Sequence, residues 1–261
     1  MPDFKSADAY LRFAKRVKGF QRYIRDDEDQ DFLEALLLQA RTQERTRVFK
    51  QGIVLWRAQM GHGWEALHEG DELIGEVECG FAPARMKPLR DRAREGRANP
   101  KGIPYLYLSN DKDTALAEVR PWLESLVSLA QFKTGRELVI VDCSTGQRPK
   151  RRLSTAEPFV IIRPEEWDMA VWYDIGHSFS TPVTVDDDVA SYAATQILAE
   201  FFRSKGFDGV AYESAFGKGH NLALFDVDAA DLLNCGLYKL SKIAFEFEEA
   251  GNTYFVSQTN A

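Results

Sequence analysis

Five short runs of apolar, β-branched and aromatic residues lie between Gly52 and Asp226, and their spacing is irregular. They read GIVLWRAQ (52–59), YLYLS (105–109), ELVIVDC (137–143), FDGVAYES (207–214) and NLALFD (221–226). Each has the length and residue types of a strand. Helical stretches fall between only some of them. DTALAEVRPWLESL (113–126) reads as a helix with an Asp near its start, kinked at Pro121. DDVASYAATQILAEFFRSKG (187–206) reads as a long amphipathic helix. Its acidic start suits the positive end of the helix dipole, and Gly206 stands where a C-cap belongs. Strand and helix do not alternate regularly, so a doubly wound parallel sheet is disfavoured. The expectation is an α+β fold around a small bent sheet with a cleft.

The first fifty residues have a different texture. In DFLEALLLQARTQERTRVF, Phe32, Leu36, Leu37 and Ala40 recur at helical steps, and Asp31 is placed to cap that helix. Residues 1–50 therefore read as a helical N-terminal appendage, and residues 51–261 as the main domain. The same pattern also fits the first layer of a single domain. MKPLRDRAREGRANPKGIP (86–104) reads as a basic loop, and AVWYDIGHSFSTPV (170–183) as mixed strand and loop.

Charge and cysteine usage narrow the partners. The net charge is −7, a poor basis for general nucleic-acid binding, which needs a basic face. The three cysteines, Cys79, Cys143 and Cys235, are widely spaced and form no Cys-x-x-Cys pair. That fits a reducing compartment and gives no metal motif. The start lacks the apolar core of a signal peptide, and no apolar run approaches a membrane span. A cytoplasmic location without direct nucleic-acid or membrane contact is expected. No Gly-x-Gly-x-x-Gly, Walker or Gly-x-Ser-x-Gly motif occurs. The four histidines have no metal-ligand spacing and read as structural.

Three stretches carry chemistry. The first, EGRANPKGIPYLYLSNDKDTALAEVRP, puts Arg97 on a Gly-flanked loop, Tyr107 on a strand and Glu118 on a helix, read here as near the helix start. Such an arginine can donate two parallel hydrogen bonds to a phosphate, and such a tyrosine can offer its ring to a planar base. The second, KGFDGVAYESAFGKGHNLALFD, puts Ser214 after a strand and before a turn containing Gly217 and Gly219. The third is LWRAQ, where Arg57 sits inside an apolar strand and needs an anionic partner. That partner is either a ligand phosphate or a protein carboxylate. Singly, each residue has an ordinary reading: solvated loop, core ring, exposed helix face or plain hairpin turn.

In this order the pieces resemble the RES domain, a family named for an arginine, a glutamate and a serine. The carriers are Arg57, the Gly-Arg-x-Asn-x-x-Gly loop running into Leu-Tyr-Leu-Ser and Ala-Leu-Ala-Glu, and the block Thr195–Asp226, which is the most specific part. The matching positions are Arg97, Glu118 and Ser214, with Tyr107 as a pocket tyrosine. The usual Gly-Gly-Arg-Trp-Asn loop reads Glu95-Gly96-Arg97-Ala98-Asn99 here. The resemblance implies a mixed sheet similar to ADP-ribosyltransferases, with a cleft. It implies an enzyme that cleaves the nicotinamide–ribose bond of NAD+ by hydrolysis or phosphorolysis, as a toxin of a toxin–antitoxin pair. NAD+ would be its substrate, with no separate cofactor and no metal. Inorganic phosphate would be the second substrate of phosphorolysis, and a protein antitoxin the partner. Glu118, Arg97 and Ser214 would be catalytic, and Arg57, Tyr107 and Asn221 would bind substrate. Two alternatives share the pocket: a protein ADP-ribosyltransferase, and a non-catalytic nucleotide-binding module.

Overall fold

The computed structural model describes residues 3–89, 92–144, 162–182, 190–244, 247 and 251. Its helices are α1 (Ala9–Gly19), α2 (Asp27–Ala40), α3 (Pro83–Met86), α4 (Lys112–Glu118), α5 (Trp167–Ser180) and α6 (Ala193–Ser204). Its strands are β1 (Thr46–Phe49), β2 (Val54–Met60), β3 (Gly63–Glu69), β4 (Glu72–Cys79), β5 (Leu106–Ser109), β6 (Leu126–Thr134), β7 (Leu138–Asp142), β8 (Gly209–Glu213), β9 (His220–Leu224) and β10 (Ala230–Lys239). Eight strands form one mixed sheet in the order β1-β7-β8-β9-β5-β2-β6-β10, and β3 and β4 form a separate hairpin. The β7–β8 pair is parallel and the others are antiparallel. The fold is α+β, as the irregular strand order predicts.

Two apolar layers fill the interior. One contains Tyr10, Phe13, Leu36, Trp172, Phe179, Leu198 and Phe202, drawn from α1, α2, α5 and α6, packed on β7 and β8. The other contains Leu55, Met86, Leu106, Phe132, Ile140 and Leu224. The helices before residue 50 thus share a core with those of the C-terminal half. Thr46–Phe49, inside the segment read as helical, is a strand paired with β7. The helix expected to be capped by Asp31 begins one turn earlier, where Asp26 accepts the Asp29 N–H at 2.8 Å.

Three local readings need correction. Residues 170–183, read as strand and loop, lie largely within α5. The helix read over 113–126 ends at Glu118, because Arg120 and Glu124 adopt positive φ and Leu126 opens β6. The β3–β4 hairpin and β10 were not anticipated. The acidic residues 186–188 before α6 lie outside the described residues, whereas Gly206 has the positive φ of a C-cap glycine.

Gly176 explains why α5 hid from a propensity reading. The helix crosses the end of β7 so closely that a Cβ on Gly176 would stand 2.3 Å from the Cys143 carbonyl oxygen. Glycine costs about 1 kcal/mol in a helix interior, so propensity alone favours Gly176→Ala. The crossing reverses the sign. Overpacking against backbone costs about 1–3 kcal/mol, and Gly176→Ala is expected to lower Tm by several degrees. Thermal denaturation followed by circular dichroism checks this.

Candidate functional site

A cleft of 340 Å³ opens where β2 and β5 meet. These two strands share a single residue pair in register, Trp56 with Ser109, and residues of both line the cleft. Arg57, Arg97, Tyr107, Glu118 and Asn221 all line it, from β2, a loop, β5, α4 and β9.

Glu118 is at the end of α4, not near its start as the sequence reading placed it. The negative end of the helix dipole disfavours a carboxylate there, so other groups must hold it. Asn221 Nδ2 donates to Glu118 Oε1 at 2.6 Å, and the Ser214 hydroxyl donates to the same oxygen at 2.6 Å. Arg97 Nη1 lies 3.9 Å from Oε2. Asn221 is fixed in turn, because its Oδ1 accepts from the buried Ser109 hydroxyl at 2.6 Å. Ser214 is fixed by its turn, whose Phe216 and Gly217 N–H groups both donate to its oxygen at 3.1 Å. Its hydroxyl is therefore fully engaged with protein groups, and Ser214 supports Glu118 from outside the cleft lining.

The turn reaches α4 only because it carries glycines. A Cβ on Gly217 would lie 2.5 Å from Thr114 Oγ1 and 2.8 Å from Thr114 Cα. Thr114 is itself locked into the α4 cap by Asp111, which accepts its N–H and its hydroxyl at 2.8 Å each. Gly217→Ala must therefore push the turn, and Ser214 with it, away from Glu118. The expected result is a folded protein with activity reduced about ten- to a hundredfold, measured beside a thermal melt.

The Arg97 loop is held from two sides. From α6, Thr195 donates to the Arg97 carbonyl at 2.5 Å, and Gln196 donates to the carbonyls of Gly96 and Asn99. From β5, the Tyr107 hydroxyl donates to Asn99 Oδ1 at 2.7 Å and accepts the Ala98 N–H at 3.0 Å. Ala98 is fully buried beneath it, so the loop packs without the tryptophan usual at that position. Tyr107 thus spends its hydroxyl on the loop and keeps its ring for the cleft wall. Burial raises that hydroxyl's pKa, which keeps it a neutral donor. Tyr105 lies in the core beside Phe225.

Among the described residues no carboxylate pairs with Arg57. It donates to the Tyr107 carbonyl at 2.9 Å, while its buried Nε has no partner among the described residues. Burial pulls its pKa down to about 10. A desolvated guanidinium facing a cleft is a strong place for an anion.

Ser109, Tyr192 and Tyr212 also belong to the site and were not singled out from sequence. The Arg97 guanidinium sits 5.9 Å from the centre of the Tyr212 ring, and burial raises the Tyr212 hydroxyl to about 12. Ser109 and Tyr212 reach the site through strand pairing on either side of β9, and Tyr192 through its place at the start of α6. Among the described residues, no group of three or more His, Cys, Asp or Glu is placed to hold a metal, and no helix is long and apolar enough to cross a membrane.

A family model described as the RES domain matches residues 77–237 of the chain. That stretch contains the Arg97 loop, Tyr107, Glu118, Ser214 and Asn221; Arg57 precedes it. Among solved structures, one similar chain comes from the M. tuberculosis MbcT–MbcA toxin–antitoxin complex. It is 15% identical with a TM-score of 0.38, over 74% of this chain and 87% of that one. No curated protein matches.

Proposed function

The chain belongs to the RES-domain family, and from that premise we propose that it is an NAD+-degrading enzyme that cleaves the nicotinamide–ribose bond. The observation that carries this reading is the Glu118 carboxylate, held by Asn221 and Ser214 and facing Arg97 on the cleft wall. Breaking the bond sends its electron pair to nicotinamide, which leaves as a neutral base. The ribose is left with oxocarbenium character, as in glycoside cleavage. A fixed carboxylate beside that carbon stabilises the developing positive charge. Two donors on one carboxylate oxygen fix its position before substrate arrives. Arg57 and Arg97 supply positive charge for the pyrophosphate, and the Tyr107 ring offers a face to a base. Water as acceptor gives ADP-ribose, and inorganic phosphate gives its 1″-phosphorylated form.

Incubating the protein with NAD+, with and without phosphate, and identifying products by mass tests the reading. Free nicotinamide with a small-molecule product is expected. ADP-ribose attached to protein would replace it with a protein ADP-ribosyltransferase, and binding without turnover with a nucleotide-binding module. The same reading supplies a partner, a neutralising protein that covers the cleft. Expression of the chain alone in a bacterial host should then deplete cellular NAD+, and unchanged NAD+ would count against a toxin.

A further inference from the structure

The cleft continues past Arg57 into a groove of 860 Å³, and the two share Arg57, Ala58, Glu95, Gly96, Tyr107 and Val119. Five cationic side chains line the groove: Arg57, Arg85, Lys87, Arg92 and Arg94. Glu95 is the one carboxylate among its described lining residues. Lys87 lies 3.4 Å from Asp228 and 4.0 Å from Asp231, which takes up part of its charge. Arg85 rests on the Phe81 ring at 5.1 Å, and its exposed guanidinium has no carboxylate partner among the described residues. Exposed Arg94 has none among them either. The positive charge of Arg85 adds to burial in lowering the pKa of Arg57. Cationic side chains gathered along one groove, with a single carboxylate among its described lining residues, make a place for an anion.

With the reactive ribose at Glu118 and the pyrophosphate at Arg57, the groove is where the adenosine end of a dinucleotide must go. The adenosine of NAD+ is uncharged, and sites built for it commonly present a carboxylate to the ribose 2′-hydroxyl. Sites built for a 2′-phosphate present arginine. We propose that Arg85 and Arg94 bind a phosphate on the adenosine ribose, so that the preferred substrate is the 2′-phosphorylated dinucleotide, NADP+, over NAD+. This rests on the proposed function for which end of the ligand Glu118 holds. Leu89, Pro88 and Pro104 in the same lining supply apolar surface for the adenine.

Titration calorimetry of the Glu118→Gln protein with NADP+ and NAD+ tests the preference without turnover. NADP+ is expected to bind about tenfold tighter or more at low salt, with the gap closing as salt rises. The Arg85→Ala/Arg94→Ala double substitution should bring the ratio close to one. Both residues are exposed, and circular dichroism checks that the fold is kept. Equal affinities, tighter NAD+ binding, or a preference that survives the double substitution overturns the inference. A nicotinamide-release assay on the unaltered protein separates it from the wider reading. Release from NAD+ without an NADP+ preference keeps the proposed function and sinks this inference, and binding of neither dinucleotide sinks both.

Discussion

Glu118→Gln is expected to lower nicotinamide release by about 10²–10³-fold while leaving the fold unchanged. Glutamine preserves the length of the side chain and an oxygen that can still accept from Asn221 and Ser214. It removes the negative charge. That charge matters most when the ribose is cationic, so the loss falls on kcat more than on substrate affinity. With its oxygen kept toward Asn221 and Ser214, the amide turns an NH2 group toward Arg97, so the ion pair with Arg97 is lost together with the charge. A nicotinamide-release assay beside circular dichroism decides the matter. Full activity in the variant would sink the mechanism.

Arg97→Ala should act on a different quantity. An arginine that contacts phosphate does so in the ground state as well as in the transition state. Charge-assisted hydrogen bonds contribute about 1.5–3 kcal/mol each, and losing one corresponds to roughly ten- to a hundredfold weaker dinucleotide binding. The side chain is only 12% exposed, so water replaces it poorly. The loop itself should survive, because its anchors are the carbonyls of Gly96, Arg97 and Asn99 and not the guanidinium. Calorimetry should show the affinity loss, and a change in kcat alone would contradict it. Rescue by lysine is expected to be partial, since an ammonium cannot make the paired geometry.

The strands β2, β5, β7, β8 and β9 were legible because each is a short apolar run closed by polar or turn residues. The Arg97, Glu118 and Ser214 set was legible through motif order. What escaped was set by tertiary structure. The β6 residues LVSLAQFKT are buried on nearly every position, between β2 and β10. Such a strand shows no alternation, and its Leu, Ala, Gln and Lys are good helix formers, so only Leu126 falls in an element read from sequence, as the last residue of the helix over 113–126, and the rest has none. The α5 helix carries aromatic residues and a glycine that local preference assigns elsewhere, and only its crossing over β7 justifies them. Ser109 and Tyr212 became site residues because β5 and β8 flank β9, a relation that no spacing along the chain encodes.

The single rung between β2 and β5 has a consequence for how the cleft recognises anything. Strands that part company present interior edges, rows of backbone N–H and C=O groups that lack a neighbouring strand. On an outer surface such edges invite another chain. Here the Arg57 guanidinium of β2 reaches the Tyr107 carbonyl of β5, joining the strands by a side chain where no ladder bond pairs those two residues. Any ligand that spans the gap does the work of the absent rungs. A ligand that binds only the folded chain adds about 2.7 kcal/mol to its stability at a hundred times its Kd, and one that bridges β2 and β5 places that gain across the gap in the sheet.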